Sequence, residues 1–141
     1  MKRVVLDTNV LAAGYWSRSG ASFAILQAIA MREIRPLVTV ALFIEYEDVL
    51  KRAEHLAAHK MTPVEVDRAL AGFLTLAEPV EIFYRWRPRL SDAKDEFVLE
   101  AAVNAGAHAL ITHNVRDFGN AGAEFGLWIG TPGDFLNKVR T

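Results

Sequence analysis

The amino-acid sequence predicts an α/β fold, a compact three-layer sandwich with a central, mostly parallel sheet flanked by helices. Two observations carry this. Short aliphatic and β-branched runs alternate with helix-length segments along the chain, the pattern of a parallel sheet with crossover helices. The joins are short, with no internal repeat, low-complexity tract or linker, so the 141 residues read as one domain, 1–141, around one core.

The elements follow in order. Residues 4–6 (VVL) form a strand that delivers Asp7 to its carboxyl end, and the apolar residues after Asp7 anchor a helix. Residues 14–20 (GYWSRSG) form a loop with exposed aromatic side chains. Residues 21–33 have the length and composition of a helix, residues 37–40 are a second strand, and residues 42–53 are an amphipathic helix. Thr62-Pro63-Val64-Glu65 is a helix start, with Thr at the N-cap, Pro in the first turn and Glu at the capping-box position. That helix runs to Ala77. Residues 80–83 are a third strand, Ser91-Asp92 opens a helix that ends near Gly106, residues 109–112 are a fourth strand, residues 127–129 a fifth, and Pro132 begins a last helix. Ligands of open parallel sheets bind at the carboxyl ends of the strands. Asp7 and the loop 112–118 (THNVRDF) fall on that rim.

Composition narrows the function classes. A net charge of −1 and a pI near 6.4 give no global basic field, so a nucleic-acid partner has to be met through a local patch or a cation. Cysteine is absent, which excludes disulfides and thiolate metal sites and fits a reducing, cytoplasmic setting. Met1-Lys2-Arg3 leads straight into a strand with no signal-peptide core. No apolar run approaches the ~20 residues of a membrane span, so no membrane association is expected. The apolar content of 52% and the mean hydropathy of +0.14 point to a sizeable core and a self-association surface.

Helical phase then singles out acids in unexpected places. In ALFIEYEDVLKRA the apolar stripe is Leu42, Tyr46, Val49, Leu50 and Ala53. Glu45 lies three residues after Leu42 and four before Val49, on the inward stripe, whereas Glu47, Asp48, Lys51 and Arg52 face outward. In SDAKDEFVLEAAVNAG the stripe is Val98, Leu99 and Ala102, with Asp95 at its amino-terminal end and Glu96 and Glu100 on a more exposed side. Asp92 suits a helix N-cap, its alternative being outer support of a site. Asp7, Glu45, Asp95 and Asp117 therefore all fall at strand ends, in the rim loop or on inward helix turns. A core-facing carboxylate is costly unless paired, protonated or metal-bound. Four converging carboxylates repel one another unless a cation sits among them, and an all-oxygen set suits Mg²⁺ or Mn²⁺. The alternative for a loop acid such as Asp117 is simple solvation.

The stretches VVLDTNVL, FIEYEDVL and DEFVLEAAVNAGAHALITHNVRDF together resemble the PIN-domain family, and more narrowly the VapC-like toxins of prokaryotic toxin–antitoxin pairs. The resemblance spans essentially the whole chain and rests on the early D-T-N combined with the late N-x-x-D-F. It implies a PIN-like sandwich and a metal-dependent endoribonuclease whose acids fall on Asp7, Glu45, Asp95 and Asp117. Thr8, Asn9, Thr112 and Asn114 match positions that shape such sites. Glu47 and Asp48 compete with Glu45 for the second acidic place, and helical phase favours Glu45. The implied chemistry is direct hydrolysis of an RNA phosphodiester by a cation-activated water, with no covalent enzyme intermediate. Implied partners are RNA, a cognate antitoxin protein and a second copy of the chain. The alternatives are a catalytically weak PIN-like binding or scaffold protein and a DNA- or structure-specific nuclease on the same fold.

Weaker signals surround these. In FYRWRPRL, Arg85, Arg87 and Arg89 interleave with Tyr84 and Trp86, which suits an RNA-tracking surface; the alternative is a strand end with snorkelling arginines. Arg116, in the rim loop, is a further candidate RNA contact. His55 and His59 (HLAAH) share a helical face, but the glutamate of a zinc-protease helix is replaced by Leu56, so both are expected to be solvated. DTN lacks the second aspartate of an aspartyl phosphatase, as Asn9 holds that place.

Overall fold

A computed structural model describes residues 2–82, 90 and 92–140. The elements are β1 (Lys2–Leu6), α1 (Thr8–Trp16), α2 (Ala21–Ala30), β2 (Ile34–Val38), α3 (Val40–Leu50), α4 (Ala53–His59), α5 (Pro63–Leu76), β3 (Glu78–Pro79), α6 (Ala93–Ala105), β4 (Ala109–Ile111), a 3₁₀ turn (Val115–Phe118), α7 (Ala121–Phe125), β5 (Trp128–Gly130) and α8 (Pro132–Arg140). The expected arrangement holds: a parallel sheet in the order β3-β2-β1-β4-β5, flanked among the described residues by eight helices. No described helix is long and apolar enough to cross a membrane.

The strand order creates the crevice. The chain steps from β1 outward to β2 and β3, then crosses back to lay β4 on the other side of β1. The order reverses between β1 and β4, where open α/β sheets bind ligands. Leu6 pairs with Ile111, so the next residues on the two strands, Asp7 and Thr112, leave the sheet side by side. The Asp7 N–H donates to the Ile111 carbonyl at 2.9 Å, and the Thr112 N–H donates to the Gly130 carbonyl at 2.9 Å. Val4, Val5, Leu6, Leu110 and Ile111 are fully buried, as strands covered on both faces must be. Against this sheet packs a core that includes Leu42, Tyr46, Leu70, Leu99 and Phe118.

Several boundaries depart from the sequence expectation. The second helix stops at Ala30 rather than running to residue 33, because Arg32 turns the chain with a φ of 61°. β2 then begins at Ile34, earlier than expected, and contains Pro36. Val40 opens α3 instead of closing β2, since the Thr39 Oγ1 accepts from the Leu42 N–H at 3.1 Å. Ala53 belongs to a separate short helix rather than to the end of the preceding one. Residues 14–16 lie in α1, not in a loop, and Tyr15 is half-buried against the core. β3 comprises only Glu78–Pro79, ahead of the expected run 80–83, and Val80 still donates to the Val38 carbonyl at 2.9 Å. The expected strand residue 83, and Tyr84, Arg85, Trp86, Arg87 and Arg89 with their RNA-contact reading, lie outside the described residues.

Helix ends obey local rules. Asp92 caps α6, its Oδ1 accepting from the Lys94 N–H at 2.8 Å, and Gly106 closes the helix at a φ of 62°, where a side chain would be strained. Thr62 and Glu65 form the full capping box at 3.2 and 3.0 Å. Thr62→Ala is expected to cost about 1 kcal/mol, read as a lower urea midpoint at unchanged m-value, with the cleft chemistry unaffected because the cap lies outside it.

Candidate functional site

Asp7 is the first corner of the rim. Buried to 8% exposure, its carboxylate is held from three sides. Oδ1 accepts from the Thr8 N–H at 2.8 Å; Oδ2 accepts from the Thr112 hydroxyl at 2.7 Å and from the Asn9 side-chain amide at 3.2 Å. The supporting groups are themselves fixed. The Thr112 Oγ1 accepts from the Asn114 N–H at 3.0 Å, and the Asn9 Oδ1 accepts from the His113 N–H at 3.2 Å. Burial pushes the Asp7 carboxyl above its ordinary range; the bonds from Thr112, Thr8 and Asn9 oppose this, and the charge of Asp117 adds to it. Below it, the buried Tyr46 hydroxyl donates to the Leu6 carbonyl, the last residue before Asp7.

A cleft of about 280 Å³ opens over this corner, and Asp7, Thr8, Asn9, Glu45, Asp92, Asp95, Asn114 and Asp117 all line it. Glu45 comes from α3; its side chain is 15% exposed and meets the Lys94 Nζ at 3.7 Å. Glu47 and Asp48 are turned away, paired with Lys51 and Arg52. Asp95, in the first turn of α6, is half-buried. Its carboxyl is raised to about 6, first by burial and then by the charges of Asp7, Asp92, Asp117 and Glu96. Asp117 sits on the exposed 3₁₀ turn, close enough to act electrostatically on both Asp7 and Asp95. Asp92 serves as the helix cap and lines the cleft as well. Arg116 is exposed on the same turn but lines a neighbouring depression instead of the cleft.

Three expectations need correction. Glu96 is not on an exposed side: it is 6% exposed, and its Oε1 accepts from the Leu90 N–H. This side of α6 is covered by Leu90, just ahead of the helix, whose backbone N–H makes that bond. Nor are the two histidines solvated. His59 Nε2 lies 3.1 Å from the Leu50 carbonyl, and its Nδ1 accepts from the Met61 N–H at 3.3 Å. His55 is half-buried and lines the acidic cleft. Lys94, also a cleft residue, escaped the sequence reading; its position beside Asp95, two residues after a predicted cap, was the available signal.

The donor set suits a hard divalent cation. The acidic lining is all oxygen, burial and then the neighbouring acids hold a proton on Asp95 unusually far up the pH scale, and the buried Thr8 Oγ1 has no hydrogen-bond partner. Among the described residues no three acidic or histidine side chains stand close enough to enclose an ion.

Comparison with known proteins adds two findings. The family model described as the PIN domain matches residues 3–116. Among solved structures, the fold is similar to a chain of VapBC2 from Rickettsia felis, crystallised bound to a DNA fragment from its promoter. That likeness has a TM-score of 0.56 and 12% identity, and covers 90% of this chain and 96% of the other. No curated protein matches the sequence.

Proposed function

Since the chain belongs to the PIN-domain family, we propose that its acidic cleft is the site of a divalent-cation-dependent endoribonuclease and that the protein is the toxin of a prokaryotic type II toxin–antitoxin pair. The observation that carries the hydrolytic reading is the convergence of Asp7, Glu45, Asp95 and Asp117 on one cleft at the β1/β4 switch point. Asp7, Asp95, Asp117 and Glu45 are the residues that would hold Mg²⁺ or Mn²⁺. The cation supplies charge neutralisation at the scissile phosphate and lowers the pKa of water. Thr112 and Asn9 fix the orientation of the Asp7 carboxylate, and Asn114 in turn fixes Thr112. The Thr8 hydroxyl offers a free oxygen at the cleft wall. Lys94 steadies Glu45 and sets one positive charge beside an otherwise anionic cleft, easing the approach of a phosphate.

The fold likeness to a VapBC2 chain supports a small antitoxin protein as the partner. A second copy of the chain and a cytoplasmic setting belong to the same proposal. The test is direct. Purified protein is incubated with single-stranded RNA and Mg²⁺ or Mn²⁺, with and without chelator. Cation-dependent cleavage that chelator stops is the expected result. Cleavage of DNA but not RNA identifies a DNA-directed nuclease instead, and the absence of any cleavage leaves a binding or scaffold protein.

A further inference from the structure

The paired rings of Trp16 and His55, the second of which lines the acidic cleft, have no part in the proposed hydrolysis. Trp16, at the last turn of α1, is 50% exposed, although a tryptophan usually buries most of its large surface. Its ring lies 5.1 Å from the His55 imidazole of α4, centroid to centroid, at an interplanar angle of 38°. His55 itself lines the acidic cleft, and its buried Nδ1 has no hydrogen-bond partner. Asn9, Ala12 and Trp16 recur at helical spacing on one face of α1, and the first two also line the cleft. The same helical face therefore runs from the Asp7 corner to the Trp16 ring, over about 10 Å at the α-helical rise. Arg18, two residues beyond Trp16, is exposed and makes no ion pair among the described residues.

We propose that Trp16, backed by His55, is a stacking platform for a base of the single-stranded RNA next to the nucleotide whose phosphate lies in the acidic cleft. This rests on the ribonuclease reading above. Single-stranded RNA is recognised through unstacked bases laid on aromatic side chains. Such stacking tolerates any base, because every base has a π-face. The chain is slightly acidic overall and its cleft is acidic, so strand affinity cannot come from a broad basic field; an aromatic surface supplies it without charge. His55 contributes by holding the indole against α4 while its own edge borders the cleft. Trp16 is a substrate-positioning residue and touches no reacting atom.

The test measures binding and turnover separately. Binding of a labelled, mixed-sequence single-stranded RNA is followed by anisotropy in chelator, and cleavage kinetics are followed with Mg²⁺. Trp16→Ala is expected to weaken binding and raise KM roughly tenfold, the loss of one base–ring stack, with kcat unchanged. Trp16→Phe keeps a ring and is expected to stay within about threefold of the wild type; it also guards against misfolding of the alanine variant. An RNA lacking one base at the platform nucleotide is expected to bind the wild type as weakly as intact RNA binds Trp16→Ala, and to bind that variant no more weakly still. Unchanged binding and KM in Trp16→Ala, or a fall in kcat alone, overturns the platform. RNA binding that depends on Trp16 in a protein that cleaves nothing upholds the platform and refutes the ribonuclease. Cleavage indifferent to Trp16 does the reverse.

Discussion

Asp7→Asn is expected to lower RNA cleavage by roughly three orders of magnitude while leaving the fold intact. The carboxylate sits where β1 and β4 leave the sheet side by side, and three donors converge on it. An asparagine keeps the size and one acceptor, so the Thr8 N–H stays satisfied. What disappears is the charge and the second acceptor, and the Thr112 hydroxyl and the Asn9 amide then share a site with an NH₂ group. Burial already raises the Asp7 carboxyl, so removing the charge relieves an unfavourable group and the melting temperature should not fall by more than a few degrees. Single-turnover cleavage across a Mg²⁺ titration, paired with thermal unfolding, checks both halves. Wild-type cleavage by a well-folded Asp7→Asn protein would place the chemistry elsewhere.

Asp95→Asn is expected to abolish cleavage and yet stabilise the cation-free protein near pH 7.5. Asp95 has a folded-state carboxyl near 6, against an ordinary value of 3.8. The folded state thus binds this proton more tightly than the unfolded chain does. Its unfavourable contribution is absent below about pH 4, grows as pH rises toward 6 and is complete above it. Part of the side chain faces water, so the gain from the substitution is discounted to about 1 kcal/mol, or roughly 3 °C in Tm. At pH 4 the two proteins should melt together. With cation the sign reverses: below pH 6 the proton competes with the metal, so each unit of acidity raises the concentration needed for half-maximal cleavage. Equal stability of the two proteins at both pH values would mean that Asp95 does not feel its acidic neighbours.

The cleft was legible where period and local chemistry agree. Asp7 was readable because an aliphatic strand must end at the rim. Glu45 was placed by its spacing from Leu42 and Val49, a fixed property of any α-helix. Asp92, Thr62 and Gly106 announced helix ends through side-chain chemistry that acts over only a few residues. What stayed hidden leaves no mark in periodicity or residue type. The shift of β2 to Ile34–Val38 follows from a left-handed turn at Arg32, a residue type that gives no warning of positive φ. The burial of Glu96 depends on Leu90 folding back onto it, and the pairing of His55 with Trp16 on α4 docking beside α1. No periodicity encodes any of these.

The return crossover from the β3 edge to β4 also has a temporal meaning. Asp7 is made before the carbonyl of Ile111 and the hydroxyl of Thr112 that fix it, which come more than a hundred positions later. Synthesis runs from the amino terminus, and distant pairings close late. A growing chain thus carries Asp7 through all those intervening positions without the strand that aims it. The Asp7 corner of the cleft is complete only when β4 slots in beside β1.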